Sequence, residues 1–428
     1  MASPPPPPPQ VNLIDDVVAE ILLRLPPDEP EHLFRASLVC KPWLRLICDP
    51  AFRRRYRAFH GAPPLLGLLH RTQVCDGDPA ARFASTTSMP DFPHPDSDDC
   101  STRPLDCRHG RVLVRMFHGP AVDLLVWDPV NGDRHVVPNP DINVLIYTAA
   151  VFCAAAGCDH LNCHGGPFRV VFLATDDHEE VVKASVYSSV TGAWSEPVSL
   201  DDSCECYAQH KRDTSAKRGY YIPYVQPRRV AAIGDAVYFT ISRSTAIAKY
   251  DCGKNRLSVI DPPPPDTEVY GGFITLMVME DNSLGLAGVK DFSLHLWSRN
   301  VNGAAKWVQC MVIDLEKIMP MAKPLKGNGA NVVGFAEGLG VIFVSTTVGL
   351  FTIELKSGLV KKVDAPGVYF SVLPYMSFYT PGVYIQMVQV IMISFTLIVL
   401  PPFQNKCRGF FRIILLFSST CCIFEIRL

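Results

Sequence analysis

The sequence lacks the short motifs by which common enzyme classes are identified. It contains no Gly-x-Ser-x-Gly turn, no glycine-rich phosphate-binding loop and no His-Glu-x-x-His pair, the arrangements that hold a nucleophile, a phosphate or a catalytic zinc. It also has almost no net charge, −2 from 40 basic and 42 acidic residues. A near-neutral chain has no overall field to attract nucleic acid or an anionic membrane. We therefore expect no cofactor, no nucleic acid and no membrane partner, and a protein partner that is selected by local shape.

A secretory signal is also missing from the start of the sequence. MASPPPPPPQ has neither a basic segment nor an apolar segment, so it does not match a signal peptide. We expect an intracellular chain, cytoplasmic or nuclear or both, in which the 15 cysteines stay reduced. On this interpretation most of them are small buried hydrophobic residues and not a disulfide framework.

Short helices are predicted directly after the proline run. Residues 1–12 are predicted to be a disordered, extended proline-rich arm, and we interpret it as a linker in preference to a ligand for a proline-binding groove. Asp15 and Asp16 are predicted to cap a first helix that ends before Pro26. A second helix carries Leu33, Phe34, Leu38 and Val39 until Pro42, which opens a third. Asp49 and Pro50 are predicted to start a fourth helix, because Asp suits the cap and proline suits the first turn.

These helices are too small a unit to bury all of their apolar side chains. The order of Leu13, an acidic pair, "ILLRLPP", "LVCKPW" and "DPAFRRRY" resembles the F-box, the adaptor-binding module of cullin-RING ubiquitin ligases. Two positions depart from the family pattern: Ile14 stands where proline is usual, and the proline of "KPW" where a polar residue is commoner. The resemblance implies a Skp-type adaptor as partner, with contacts or supporting core at Leu13, Ile14, Val17, Ile21, Leu22, Leu25, Leu38, Val39, Trp43, Leu46 and Phe52. Val18 and Ile47 are expected only to pack the helices together.

Beyond about residue 62 the pattern changes to short apolar runs between turn residues, which predicts strands. Five hairpin-like segments recur, beginning near residues 126, 186, 248, 296 and 351, and each has a further strand or strand pair upstream. Their predicted turn residues supply the positive φ of a tight hairpin. These turn residues are Gly132, Gly192, Asn255, Gly303 and Gly358.

Units of about 50 residues with four strands have the size of propeller blades. A sixth blade would close if "PLLGLLHRT" at 64 paired with a strand near "YFSVLPYMSFY" at 369. The region resembles the propeller-like part of plant F-box proteins. The predicted fold is therefore α+β multidomain, with small all-α F-box helices at 13–58 and an all-β, propeller-like region of five to six blades at 59–380. A β-sandwich or an irregular barrel is the alternative.

One segment has metal-ligand residue types. "CAAAGCDHLNCHGG" contains Cys153, Cys158, His160, Cys163 and His164, but its cysteines are widely spaced and no second paired half follows. We interpret it as a loop with part-buried thiols and predict no metal, leaving open whether Cys153, Cys158, Cys163 and His164 bind one. "DDSCECYAQHKR", with Cys204, Cys206 and His210, is predicted to be a solvated loop.

The segment at 381–428 is a divergent hydrophobic tail. It contains 17 uncharged residues from Tyr384 to Leu400, at the lower limit for a membrane span. Gln386 and Gln389 argue against an anchor, and the composition favours a divergent or mis-spliced end of the chain.

The leading hypothesis is a non-catalytic substrate receptor of a Skp-cullin-F-box ubiquitin ligase. In this hypothesis the helices hold the adaptor, and through it a cullin-RING ligase, while the β region recruits an unknown target protein. A membrane-anchored or scaffold interaction protein is the alternative, and an enzyme built on a propeller follows it. The target cannot be inferred from the fold.

Overall fold

The computed structural model describes the chain in several stretches. These are residues 15–72, 83–92, 102–117, 122–200, 203–218, 224–241, 246–260, 274–300, 306–321, 329–367, 369–381, 411–417 and 420–426. The proline-rich arm, the adaptor positions Leu13 and Ile14, and the apolar segment Tyr384–Leu400 lie outside them. The chain divides into two compact units, Met1–Pro381 and Gly382–Leu428. In the second, β25 (Phe411–Phe417) and β26 (Thr420–Ile426) pair antiparallel.

The described part of the chain begins with four short helices, which we call the helical unit. The helices are bounded where the sequence predicts breaks. They are α1 (Asp15–Leu23), α2 (Pro30–Ser37), α3 (Lys41–Cys48) and α4 (Pro50–His60). The Asp49 carboxylate caps α4 as predicted, because it accepts hydrogen bonds from the amides of Ala51 at 2.6 Å and Phe52 at 3.3 Å. Asp16, which was predicted as a cap with Asp15, is instead a helical residue of α1, and its charge suits the positive end of the helix dipole.

Leu38 and Val39 differ from the prediction, which placed them on the second helix. That helix ends at Ser37, and the Leu38 amide donates to the carbonyl of Arg35 in a final turn. Both residues therefore lie in the short connection to α3. Because they leave the helix, their side chains do not follow its apolar face.

The β region consists of antiparallel sheets that match the predicted blades. It begins with β1 (Leu65–Thr72) and β2 (Phe83–Ser85). The strands of blade 1 are β3 (Thr102–Arg108), β4 (Arg111–Met116), β5 (Asp123–Trp127) and β6 (Arg134–Val137). Those of blade 2 are β7 (Val144–Cys153), β8 (Phe168–Asp176), β9 (Val182–Ser188), β10 (Ala193–Trp194) and β11 (Val198–Ser199).

Three further blades follow the same strand order. Blade 3 contains β12 (Ala231–Ile233), β13 (Ala236–Ile241), β14 (Ala246–Asp251) and β15 (Arg256–Ile260). Blade 4 contains β16 (Thr275–Val278), β17 (Leu284–Lys290), β18 (Ser293–Asn300) and β19 (Lys306–Asp314), and blade 5 contains β20 (Ala330–Ala336), β21 (Val341–Thr346), β22 (Gly349–Glu354) and β23 (Val360–Asp364). Two helices interrupt the strands, α5 (Glu205–Arg218) and α6 (Leu315–Ile318).

The predicted hairpins are the last two strands of blades 1, 3, 4 and 5 and the β9–β10 pair of blade 2. Four of their five predicted turn residues have positive φ: Gly132 at 75°, Gly192 at 69°, Asn255 at 47° and Gly358 at 70°. Gly303 lies outside the described residues. The sequence therefore located these turns correctly, because a tight hairpin requires a backbone conformation that Gly and Asn adopt most readily.

Blade 6 joins the two ends of the β region. Strand β24 (Tyr369–Met376) pairs antiparallel with β1, with Leu69 opposite Leu373, and β2 pairs with the other edge of β1. The first strands of blades 1 and 2, of blades 3 and 4 and of blades 4 and 5 contact each other, and blades 2 and 3 share one hydrophobic core. Strand β24 closes the ring by contacting both β20 and β3. The fold is a six-bladed β-propeller, and the alternatives of a sandwich or an irregular barrel are wrong.

The prediction of a solvated loop at "DDSCECYAQHKR" is also wrong, since most of it belongs to helix α5. Tyr207 of α5 is buried among the side chains of blades 2 and 3, including Leu173 and Phe239. The helix is almost entirely polar apart from this residue, so it has no apolar stripe from which the sequence could indicate a helix.

The helical unit packs against the propeller. Its core of Val18, Leu22, Leu33, Ile47 and other apolar side chains also includes Phe378, just after β24, and partly buried Leu161, from the β7–β8 loop. Phe34 of α2 contacts Tyr379 with ring centroids 4.9 Å apart. We call this contact region the seam. The sequence suggested that the surplus apolar surface of the helices serves a partner outside the chain, and the seam shows that the propeller itself covers part of it.

Candidate adaptor-binding surface

Four of the predicted adaptor residues remain exposed on the helical unit. Val17 and Ile21 are about half exposed, and they lie on one face of α1 because they are four residues apart. Leu38 and Val39 are 77% and 65% exposed in the α2–α3 connection. Within the described residues, all four side chains therefore keep close to half or more of their surface exposed. We call Val17, Ile21, Leu38 and Val39 the apolar patch.

The other predicted adaptor residues lie beneath or beside the apolar patch. Leu22 and Phe52 are buried in the core of the helical unit. Leu25, Trp43 and Leu46 are partly buried and pack against the same core. Val18 and Ile47, which were expected only to pack the helices together, are buried there as well.

Polar contacts fix α4 against α1 and hold the helices in one arrangement. Arg55 forms an ion pair with Glu20 at 2.7 Å. The Tyr56 hydroxyl donates to the carbonyl of Leu25 at 2.9 Å, and the His60 ring lies 2.9 Å from the carbonyl of Leu23. Burial raises the pKa of Tyr56 above its usual value, so this hydroxyl keeps its proton at neutral pH. Arg55, from the basic run on α4, therefore has a partner within the unit.

Sequence comparisons identify both parts of the chain. The helices match the F-box domain at residues 11–55. Residues 104–382, more than half of the chain, match the family described as F-box protein AT5G49610-like, beta-propeller. The chain belongs to this family of F-box proteins. Its F-box is the helical unit with the apolar patch, and its propeller is the six-bladed ring.

Individual relatives are more distant. A protein of Arabidopsis thaliana that is named as an F-box protein, At3g16210, is 29% identical over 193 residues, which are 44% of this chain and 47% of the relative. The chain thus spans about half the length of the curated relative that it matches. Among solved structures, TolB of Acinetobacter baumannii is 12% identical with a TM-score of 0.39, covering 76% of this chain and 69% of that one. A chain of the nidogen/laminin complex is 11% identical with a TM-score of 0.36, covering 73% of this chain and 98% of that one. Both scores are low, so the assignment depends on the family models.

The propeller has a pocket of about 410 Å³ at the start of β7, lined by Arg103, Arg115, Tyr147 and the residues of the β6–β7 connection. The guanidinium of Arg115 lies 4.5 Å from the ring centre of Phe117 and 5.6 Å from that of Tyr147. The seam lies beyond the other end of β7, because Leu161 follows the last residue of this strand. A ten-residue strand spans about 30 Å, so the pocket and the F-box are at opposite ends of β7.

A network of charged side chains joins three blades, and all of them are buried except Glu337, whose side chain is 26% exposed. Arg108 contacts Asp106 at 3.1 Å and both oxygens of Glu337 at 2.8 Å, and Arg229 lies 3.6 Å from each carboxylate. Burial alone would raise the pKa of Glu337, but the two arginines hold it below the usual value. Because every charge in this network has an opposite partner, it connects blade 1 to blades 3 and 5 without supplying a free acid or base.

A Ser–His–Asp chain lies near the seam. His164 contacts the Asp128 carboxylate through Nδ1 at 2.6 Å and the Ser377 hydroxyl through Nε2 at 2.8 Å. This is the order of contacts in a hydrolase triad. Ser377 is buried, however, and the next residue, Phe378, fills the core of the F-box. A substrate cannot reach the hydroxyl, so the contacts tie the β7–β8 loop to the residues after β24.

Among the residues that the structure describes, no helix combines the length and the apolar composition needed to cross a membrane.

Proposed function

We propose that this chain is a substrate-receptor subunit of a Skp-cullin-F-box ubiquitin ligase. The F-box, proposed to extend over residues 13–58, binds a Skp-type adaptor through the apolar patch, and the propeller region at 59–380 binds the target protein. The observation that supports this most directly is the exposure of Val17, Ile21, Leu38 and Val39 on a unit whose core is otherwise filled. Several large apolar side chains exposed on one small unit are typical of a protein interface.

The chain performs no bond chemistry in this proposal. It raises the effective concentration of a target lysine near the ubiquitin-carrying enzyme, and this proximity is its contribution to the rate. The pocket at the start of β7 is the proposed target site, since its distance from the F-box leaves it free when the adaptor is bound. Its two arginines beside aromatic rings suit an acidic segment of the target.

The apolar patch can be tested with substitutions of matched exposure. Leu38→Asp and Val39→Asp place a charge in the proposed interface, and Leu359→Asp and Val190→Asp place the same charge at exposed propeller turns, where the original side chains are 65% and 75% exposed. A side chain at the centre of an interface contributes about 2 kcal/mol or more, which corresponds to roughly thirtyfold in affinity. We expect loss of this size for the first pair and wild-type affinity for the second.

The measurement is the dissociation constant between the purified chain and a Skp-type adaptor, together with the transfer of ubiquitin to the receptor itself in a reconstituted ligase. Equal affinity of all four variants and the unchanged chain would contradict the proposed interface. Because the four original side chains are all exposed, none of these substitutions opens a cavity in the core. A change in affinity therefore reports on the surface and not on folding.

A further inference from the structure

The loop between β7 and β8 brings together four side chains that suit a metal ion. The Sγ atoms of Cys153, Cys158 and Cys163 and a ring nitrogen of His160 all lie within 4.8 Å of one another. Cys158 Sγ is 3.7 Å from Cys163 Sγ, and Cys163 Sγ is 3.6 Å from His160 Nδ1. The sequence offered both His160 and His164 beside the three cysteines. The structure directs His164 to Asp128 and Ser377 and places His160 next to the thiols.

The Cys158–Cys163 and Cys163–His160 distances match the edges of a tetrahedral zinc site, and the other ligand atoms lie within 4.8 Å. With Zn–S bonds of about 2.3 Å and Zn–N bonds of about 2.0–2.1 Å, tetrahedral angles give S···S edges of about 3.8 Å and S···N edges of about 3.6 Å. The two measured distances agree with these edges. A disulfide does not account for them, because its sulfur atoms would be about 2.05 Å apart, and all three cysteines are free.

The backbone of the loop is shaped to present the four groups. His160 has a φ of 58° and Gly157 one of 65°, a conformation that is uncommon for histidine and adopted where the surroundings require it. The amides of Ala155 and His160 donate to Cys153 Sγ and Cys158 Sγ, each at 3.4 Å. N–H groups directed at ligand sulfur atoms hold those side chains in one orientation, as outer contacts do around a bound metal.

Two neighbouring side chains, His109 and Arg111, support the four candidate ligands. The His109 ring stacks on His160 with centroids 4.0 Å apart and planes within 4°, which fixes the orientation of the ligand ring. Arg111 donates to the carbonyls of Cys163 and Gly166. A site of three thiolates, one neutral imidazole and Zn²⁺ has a net charge of −1, so this guanidinium offsets it.

We propose that Cys153, Cys158, His160 and Cys163 form a structural zinc site. Four protein ligands fill the tetrahedral shell and leave no position for substrate, which is typical of structural and not catalytic zinc. The ion replaces the thiol protons, so binding releases up to three protons and the imidazole binds in its neutral form. The site depends on this loop alone and does not rest on the proposed ligase function.

The site has a structural consequence because of where the loop lies. Leu161, between His160 and Cys163, packs on the core of the F-box, and Asp159 interacts electrostatically with Arg57 of α4. An ion that holds residues 153–163 therefore also holds the seam between the propeller and the F-box. Removal of the ion is expected to loosen the F-box without opening the blades.

The test is the zinc content of the full chain, purified in complex with an adaptor and measured by elemental analysis. We expect about one zinc per chain, as for other four-ligand sites. Cys158→Ser, Cys163→Ser and His160→Ala should each lose it, whereas Cys252→Ser, which alters a part-buried thiol of blade 3, and His164→Gln should keep it. Retention by His164→Gln distinguishes the proposed ligand set from the one suggested by the sequence.

Two further measurements keep the test decisive if a variant folds poorly. Replacement by Co²⁺ in the unchanged chain should give the visible absorption of a tetrahedral thiolate site, and a chelator should speed hydrogen exchange in α4 while β20–β22 stay protected. A metal-free chain after purification with added zinc would overturn the proposal. So would a Cys158–Cys163 disulfide found by mass spectrometry, or zinc content that the three ligand substitutions leave unchanged.

Discussion

Phe378 offers a direct test of how the F-box is attached to the propeller. Phe378 lies two positions after β24, the last strand of the propeller. Only 3% of it is exposed, because its side chain lies in the core of the F-box. Its ring meets that of Tyr56 edge to face, with centroids 6.2 Å apart. We expect Phe378→Ala to detach the F-box while the six blades remain folded.

The size of the effect follows from the burial. Truncation of a fully buried Phe to Ala costs about 3–5 kcal/mol. The seam also contains Tyr379 and Leu161, so part of the contact between the F-box and the propeller remains in the variant. We therefore expect a cost at the lower end of this range. A loss of about 3 kcal/mol corresponds to roughly a hundredfold rise in the population of the opened state.

Hydrogen exchange measured peptide by peptide is the assay, because it separates local from global opening. In Phe378→Ala, exchange in α1 and α4 should rise by about that hundredfold, with β8 and β21 unchanged. Phe351→Ala is the control, since Phe351 is equally buried but lies between blades 4 and 5. It should raise exchange in those blades and spare the helices. Unchanged protection of α4 in Phe378→Ala would refute the reasoning.

Three other predictions concern the propeller. Gly334→Ala should lower the free energy of unfolding by about 1–3 kcal/mol, as measured by denaturant titration. The reason is that a Cβ at this position would lie 2.3 Å from the carbonyl oxygen of Val372. Gly253→Ala is the control and should be nearly neutral, because the nearest atom to a Cβ there is 3.5 Å away. The pKa of Glu337 is lowered in the folded chain, so its stabilising effect is present above the usual Glu pKa and is lost as the pH falls through the lowered one. The unfolding free energy of Glu337→Gln should consequently depend less on pH in that acidic range than that of the unchanged chain, and identical pH profiles would contradict the role of this ion pair. A serine-reactive fluorophosphonate should not label the buried Ser377 in the folded chain, and labelling that disappears in Ser377→Ala would instead support a hydrolase.

The elements that the sequence predicted correctly are those fixed by local chemistry. Asp49 followed by Pro50 determines the start of α4, and Gly132, Gly192, Asn255 and Gly358 determine hairpin turns, because each requirement involves only neighbouring residues. The pairing of β1 with β24 was also predicted, because it closes a sixth blade by joining the two ends of the β region. The same approach failed for α5, whose single buried residue, Tyr207, produces no periodicity.

The features that the sequence did not reveal depend on contacts between distant segments. Phe378 looks like one more strand residue in the sequence, and only the folded chain shows it in the core of the F-box. The choice between His160 and His164 depends on a positive φ and on the position of Asp128, neither of which is visible from the spacing. Leu38 and Val39 were predicted as adaptor residues on the second helix. Their exposure follows from the end of α2 at Ser37, which the sequence did not indicate.

The seam bears on how a receptor of this kind would work. An F-box joined by a flexible linker would bind its adaptor equally well, but the target would then sample many positions and its effective concentration near the ligase would fall. Here the helices pack part of their apolar surface against Phe378 and Tyr379, and the remainder, the apolar patch, is the proposed adaptor surface. In the proposed complex, the pocket at the far end of β7 would be held at a fixed distance and direction from the adaptor. The β7–β8 loop contributes to that fixed arrangement through Leu161, so a metal ion bound there would affect ubiquitin transfer more than adaptor affinity.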